Sequence, residues 1–284
     1  MSNTIISTLA TVGQNLTLYF SLITFIGGIL GGILTIIVFT SLQTFRQSSC
    51  AFYLIIISLV NIGQLFVSTT SRILATNLNI DWSLSSLFYC KFRLYFLQVC
   101  GLTSMTCCCL ATIDQYFATC SRVQWQRWCN IKLAYRLVFI TILFWILHHI
   151  PYLIFYNHIL LDNKIICKLT NSIFEQYTTY ANLVILGRFI PISITFLFGY
   201  LAYRNVQQIS YRTVPIVRRQ LDQQLTSMVL VQVLVSVFTV LPNAIVYPFS
   251  MIPSLNQDPV AAAQIQFMVS FTICLLSVYQ AVIE

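Results

Sequence analysis

Seven stretches of this chain are apolar over about twenty residues or more, the length at which a helix crosses the hydrocarbon of a bilayer. They run Leu18 to Leu42, Phe52 to Ile73, Leu94 to Phe117, Leu137 to Tyr156, Tyr180 to Tyr203, Leu225 to Phe249 and Val260 to Ile283. Asn61 and Gln64 interrupt the second, and the chain ends with the seventh. The alternating segments of about ten residues that build a membrane barrel are absent, so helices are expected. Composition agrees: 58% of the 284 residues are hydrophobic and 8% charged, with a mean hydropathy of +0.81, against about 25% charged in soluble domains. The expected fold is an all-α membrane protein, a seven-transmembrane helix bundle over 18–284, preceded by a short outer segment, 1–17.

The sequence predicts an N-terminus outside. In that orientation the inner segments hold Arg46, Arg122, Arg127, Lys132, Arg136, Arg204, Arg212, Arg218 and Arg219, and loops rich in Lys and Arg stay cytoplasmic. The outer segments hold Arg72, Lys91, Arg93, Lys164 and Lys168, offset by Asp81, Asp162, Glu175 and Asp258. The net charge of +8 does not point to nucleic acid, because no solvated basic domain gathers it. The N-terminus lacks the basic region of a cleaved signal peptide. One glycosylation sequon, Asn15-Leu16-Thr17, falls on the outer side and abuts the first helix.

Sidedness also sorts the ten cysteines, since disulfides form on the oxidising face. Cys50, Cys120 and Cys129 fall at inner ends, and Cys100, Cys107, Cys108, Cys109 and Cys274 fall inside helices. Cys90 and Cys167 remain, and a bridge between them would pin the loop after helix four over the bundle mouth. The consecutive Cys107, Cys108 and Cys109 point about 100° apart on a helix and cannot converge on one metal ion. They read as small packing residues. His148 and His149, also adjacent, read as hydrogen-bonded core histidines. No metal and no cofactor is expected.

Helix three ends in Asp114-Gln115-Tyr116, twenty-five positions after Cys90; helix four carries Trp145 and Pro151, helix five Pro191 and helix six Pro242. With seven spans and the cysteine pair, the chain resembles a rhodopsin-like (class A) G-protein-coupled receptor, of a divergent kind similar to invertebrate orphan and peptide receptors. The resemblance implies a multi-pass plasma-membrane protein that binds an extracellular small molecule or peptide and signals to a heterotrimeric G protein. It also implies coupling residues Asp114, Gln115 and Tyr116, joined by Arg122, Arg218 and Arg219, and packing positions Asn61, Trp145, Pro191 and Pro242.

The departures from that family are specific. Gly32 stands where the family has Asn in helix one, and Asn61 replaces an Asp in helix two, so the anionic ligand for a sodium ion is missing. Val240 occupies the tryptophan position two residues before Pro242, and helix seven, Val269 to Tyr279, shows no N-P-x-x-Y. Gln115 replaces the arginine of the family's D-R-Y triplet and keeps hydrogen bonding without charge. Asp114 is then expected to draw on Arg122 or Arg127. The chain stops at Glu284 with no following amphipathic helix, which leaves open a fragment, a misassembled end or a short receptor.

Polar residues within spans are functional candidates. Arg188, three residues before Pro191, is the sharpest; a pocket residue and a snorkelling side chain are the two readings. Gln98 lies two turns below Cys90, Tyr247 lies five residues after Pro242, and Asn243 is either a ligand contact or a partner for backbone freed by the proline. Arg93 and Lys91 at the mouth either attract an acidic ligand or form a solvated rim. On the inner side Arg122, Trp125, Arg127 and Trp128 suit the headgroup interface of membrane lipid. Arg218 and Arg219 suit lipid or a G protein. A transporter would carry internal repeats and midplane acids, and an intramembrane enzyme a catalytic motif; neither pattern is present. A seven-helix scaffold that binds ligand without signalling stays open beside the receptor reading, because of Gln115, Val240 and helix seven.

Overall fold

Hydrocarbon offers no water to a backbone N–H or C=O, so a spanning chain satisfies these groups along itself, as a helix. In the computed structural model, which describes residues 2–46, 48–77, 81–120, 122–161, 164–209, 216–250 and 259–282, seven helices are long and apolar enough to cross a membrane. They are α1 (Ser2–Ser41), α2 (Ser49–Asn77), α3 (Leu87–Thr119), α4 (Ile131–Phe155), α5 (Ser172–Gln207), α6 (Ile216–Phe249) and α7 (Pro259–Val282).

Several helices begin well before their apolar runs, and polar caps say why. Ser86 accepts from Tyr89 N at the start of α3, Asn130 from Lys132 N at the start of α4, and Asn171 from Phe174 N at the start of α5. Lys91, Arg93, Lys132 and Arg136 then ride inside helical ends that hydropathy alone leaves out. The stretch 2–17 is also helical and continuous with the first span. At 1.5 Å per residue α1 is about 60 Å long, roughly twice the hydrocarbon thickness. Its N-terminal part lies on α7, where a Cβ on Gly13 would meet the Phe267 ring at 3.4 Å. Asn15 is exposed on this helix.

α3 runs through the centre, packed against α2, α4, α5 and α6. The hydrophobic core joins Leu54 and Ile57 of α2, Met105, Cys107, Cys108 and Ala111 of α3, Ala134 and Val138 of α4, and Val229, Val233 and Val240 of α6. The three adjacent cysteines are buried and unbridged. Cys109 Sγ donates to the carbonyl of Pro191 at 3.8 Å, which fits their role as packing residues. Large apolar side chains such as Phe139, Ile140 and Phe144 of α4 and Phe238 of α6 face outward, where lipid replaces water as the solvent.

A hairpin of β1 (Tyr156–Leu161) and β2 (Lys164–Leu169) joins α4 to α5 in antiparallel register, with His158 opposite Cys167. Cys167 is bridged to Cys90 at the start of α3, with the alpha-carbons 6.0 Å apart. His158 Nε2 also meets the Ser83 carbonyl at 2.7 Å, tying the hairpin to the short helix Trp82–Ser85. The hairpin is thereby fixed across one end of the bundle. The turn residues 162 and 163, including Asp162, lie outside the described residues, as do Arg212 and Asp258.

Candidate functional site

α5 is where the backbone departs from a regular helix. From Tyr177 to Phe189 it is a π-helix, and Ile190 N–H still reaches back five residues to the Ile185 carbonyl. Such turns are rare and gather at functional sites. This one carries Asn182, Gly187 and Arg188. Gly187 leaves room for the widened turn, where a Cβ would lie 3.2 Å from the Asn182 carbonyl of the same helix, and for its approach to α3, where that Cβ would lie 3.4 Å from Leu102 Cδ2.

Arg188 lines a cavity of about 140 Å³ between α2, α3, α5 and α7. Gln64 comes from α2, Gln98, Gly101, Ser104 and Met105 from α3, Asn182 from α5, and Leu276 and Tyr279 from α7. The Arg188 guanidinium donates from Nη2 to Asn243 Oδ1 at 3.2 Å and from Nη1 to its neighbour's carbonyl, Gly187 O, at 3.4 Å. Its Nε–H is buried with no partner among the described residues. Asn243 is itself buried, and its Nδ2 donates to Thr272 Oγ1 at 3.1 Å, so one amide joins α5, α6 and α7. Its side chain is spent on this bridge and not on backbone freed by Pro242.

A second polar chain closes the α4 side. Trp145 Nε1 donates to Thr106 Oγ1 at 3.1 Å, and His149 Nδ1–H donates to the Trp145 carbonyl at 2.9 Å. That places the His149 acceptor on Nε2, where Asn182 Nδ2 donates at 3.3 Å while also reaching Tyr152 OH at 2.9 Å. Asn182 Oδ1 remains buried without a described partner. His148 Nε2 meets Tyr177 OH at 2.9 Å, so both histidines are hydrogen-bonded. Among the described residues no three metal-ligating side chains cluster.

Of the side chains expected at the cavity, Arg188 and Gln98 line it and Asn243 anchors Arg188. Tyr247 and Arg93 do not line it. Tyr247 sits toward the hairpin, in electrostatic reach of Tyr156, whose phenol is pushed up by burial first and by Tyr152, Tyr247 and Glu175 after it. Arg93 is half-buried, and its Nε has no described partner. Asn182 and Ser104 line it too without being singled out by motif, although the rule that singles out Arg188, a polar group inside a span, applies to Asn182 equally. A larger cavity of about 320 Å³ lies between α1 and α7, with Arg72 of α2 in its wall. It contains none of the expected ligand residues.

At the far end of α3, Gln115 is 2% exposed and its Oε1 accepts from Thr226 Oγ1 of α6 at 3.0 Å. Tyr116 packs edge-on against Phe198 of α5, with centroids 5.4 Å apart. Cys129 Sγ donates to the Asp114 carbonyl at 3.2 Å, and Tyr53 lies in electrostatic reach of the Asp114 carboxylate. Arg122, Arg127 and Trp128 are exposed, and the Trp125 ring packs on Phe117 at 5.1 Å. Arg218 and Arg219 belong to the first turn of α6, and their side chains lie outside the described residues. Asn61 is wholly buried in α2, with neither amide atom hydrogen-bonded among the described residues.

A family model described as 7 transmembrane receptor (rhodopsin family) matches residues 31–282. No curated protein matches the chain.

Proposed function

From the premise that the chain belongs to the rhodopsin family of seven-transmembrane receptors, as a multi-pass protein of the plasma membrane, we propose that it binds an extracellular ligand beside Arg188 and signals to a heterotrimeric G protein. The observation that carries this reading is that hydrogen bonds tie α6 to its neighbours at two distant places along its length. Asn243 ties it to Arg188 and Thr272 beside the cavity, and Thr226 ties it to Gln115 at the other end. The two contacts are seventeen positions apart, about 25 Å along the helix. A ligand that competes for Arg188 weakens the first contact, and rotation of α6 as a rigid lever strains the second. Outward movement of its inner end would open a groove beside Asp114, Gln115, Tyr116 and Arg122, with Arg218 and Arg219 on the moving helix. A cavity of about 140 Å³ suits a small molecule or the terminal group of a peptide. Gln98 and Asn243 are its polar contacts, while Tyr247, Arg93 and Lys91 line the approach.

The test is nucleotide exchange on purified G protein, measured with the wild type and with Gln115→Arg at matched amounts of folded receptor. Exchange above the receptor-free rate in either, rising with a ligand from a panel of small acids, amines and peptides, supports the proposal. Silence of both across the panel leaves the second reading, a ligand-binding bundle that does not signal. That reading is favoured by one observation, the burial of an uncharged Gln115 at the coupling position.

A further inference from the structure

The cavity beside Arg188 carries a charge problem that the described chain does not solve. Within the described helices the acids are Asp114, Glu175 and Asp222, the last twenty-one positions before Asn243 on α6 and so about 30 Å along that helix from the Arg188 contact. Asp114 adjoins the Gln115–Thr226 contact, about 25 Å along α6 from the one that Asn243 makes with Arg188. Glu175 is engaged by Lys168, with Nζ and Oε1 3.5 Å apart. On the outer side Asp81 is spent capping the short helix, where it accepts from Ser83 N and Oγ. Arg188 therefore meets only neutral oxygens, those of Asn243 and Gly187, among the described residues.

A guanidinium does not escape by losing its proton, and an uncompensated charge at this depth is costly. A bound anion removes that cost. The Nε–H and Nη2 share the edge of the guanidinium that grips a carboxylate with two parallel hydrogen bonds, and Nε is the nitrogen without a partner. Around it Leu97, Leu102, Leu183 and Leu276 make an apolar sleeve, and a dry cavity of about 150 Å³ accommodates a benzene ring. Asn182 Oδ1, also unpartnered, adds an acceptor for one ligand hydroxyl or amine. Lys91 and Arg93, at the start of the same helix that supplies Gln98, give the approach a positive field that concentrates anions.

We propose that this cavity takes a small carboxylate of about the size of benzoate, with Arg188 as its counter-ion. The inference rests on the reading of this cavity as the ligand site and names the ligand class. The receptor is placed in nanodiscs of neutral phosphatidylcholine, and its melting temperature is followed through exposure of its buried thiols. Acetate, hexanoate and benzoate are compared with benzamide and with sodium chloride at equal ionic strength. At least one carboxylate is expected to raise the melting temperature by several degrees in a saturable way, while benzamide and chloride do not. Arg188→Gln should lose that shift while its unliganded melting temperature stays equal or rises, because the uncompensated charge is gone. Arg188→Lys should keep a weaker shift, and serves as the variant of record where Arg188→Gln does not fold.

No saturable shift with any of the three, an equal shift with chloride, or an undiminished shift in the variants overturns the proposal. Nanodiscs containing phosphatidylglycerol test the membrane as the source of the anion. An Arg188-dependent rise there that abolishes the carboxylate effect assigns the site to a lipid headgroup and overturns the soluble ligand. Nucleotide exchange is scored separately. Basal exchange with no carboxylate effect removes this inference and leaves the receptor, whereas an Arg188-dependent shift without exchange does the reverse.

Discussion

Thr226 Oγ1 gives Gln115 Oε1 its hydrogen bond across the α3–α6 contact, and both side chains are buried. Replacing the hydroxyl with a methyl leaves a buried amide oxygen unsatisfied, which costs about 1–3 kcal/mol. The cost falls on the state with α6 closed, where the contact exists. A change of one or two kcal/mol moves a two-state population about 5–30-fold. Thr226→Val should therefore raise ligand-free nucleotide exchange several-fold, with Thr226→Ser close to wild type. Equal basal exchange in all three would show that this bond does not hold the closed state. Some of this was legible in the sequence. The resemblance to the family, through its spacing from Cys90, located Gln115 and showed the change from arginine as a loss of charge. Its partner was not, because Thr226 lies 111 positions away and a threonine in an apolar run carries no signal of its own. The same holds for Asn182 Nδ2, whose two partners, His149 and Tyr152, lie in another helix.

Hydropathy reports the part of a helix that meets lipid more than its hydrogen-bonded ends. That is why seven runs gave seven helices, yet α3, α4 and α5 start six to eight residues before their expected starts at Leu94, Leu137 and Tyr180. Ser86, Asn130 and Asn171 were available as caps. The π-helix was not legible at all, since its sequence, Tyr177 to Phe189, differs little in composition from a regular span. Its dependence on Gly187 is testable. Gly187→Ala puts a Cβ 3.2 Å from the Asn182 carbonyl and forces a shift of a few tenths of an ångström in backbone beside the cavity. Overpacking of this kind costs about 1–3 kcal/mol, so the purified receptor should melt at a lower temperature. Gly27→Ala is the matched control, because a Cβ there meets nothing within 4 Å and alanine is the better helix former. Equal melting of the two variants would show that the widened helix relaxes freely around position 187. The hairpin makes a second case. Cys90 and Cys167 are 77 positions apart, and their bond and the His158–Ser83 contact fix the hairpin across the bundle end. Cys167→Ser should lower both the melting temperature and the amount of receptor at the cell surface several-fold, as losses of one or two kcal/mol do in cells. Wild-type surface levels for Cys167→Ser would mean that packing alone holds the hairpin.

The orientation of the whole molecule rests on two signals with different physical origins. Arg46, Arg122, Arg127, Lys132, Arg136 and Arg204 follow or precede span ends on one side, and the short basic loops they occupy resist translocation. The Cys90–Cys167 bond lies where α3 begins, at the opposite end from Asp114 and Gln115, and requires an oxidising compartment. The two signals have to agree for any one insertion to satisfy both, and they agree only with the start of α1 outside, since an odd number of crossings separates it from the inner end of each odd-numbered helix. The length of α1 sharpens the expectation. At about 60 Å it exceeds the hydrocarbon by roughly 30 Å, and with the N-terminus outside Arg46, just beyond its other end, would anchor that end at the inner face. The excess would then project outward along α7, where Gly13 faces the Phe267 ring. An epitope tag placed ahead of Met1 should therefore bind antibody on intact cells, and a membrane-impermeant maleimide should leave the half-exposed Cys129 unlabelled until the cells are opened. Tag staining that appears only after permeabilisation, together with Cys129 labelling on intact cells, would invert the bundle, put the hairpin in the reducing cytoplasm, and remove the Arg188 cavity from any extracellular ligand.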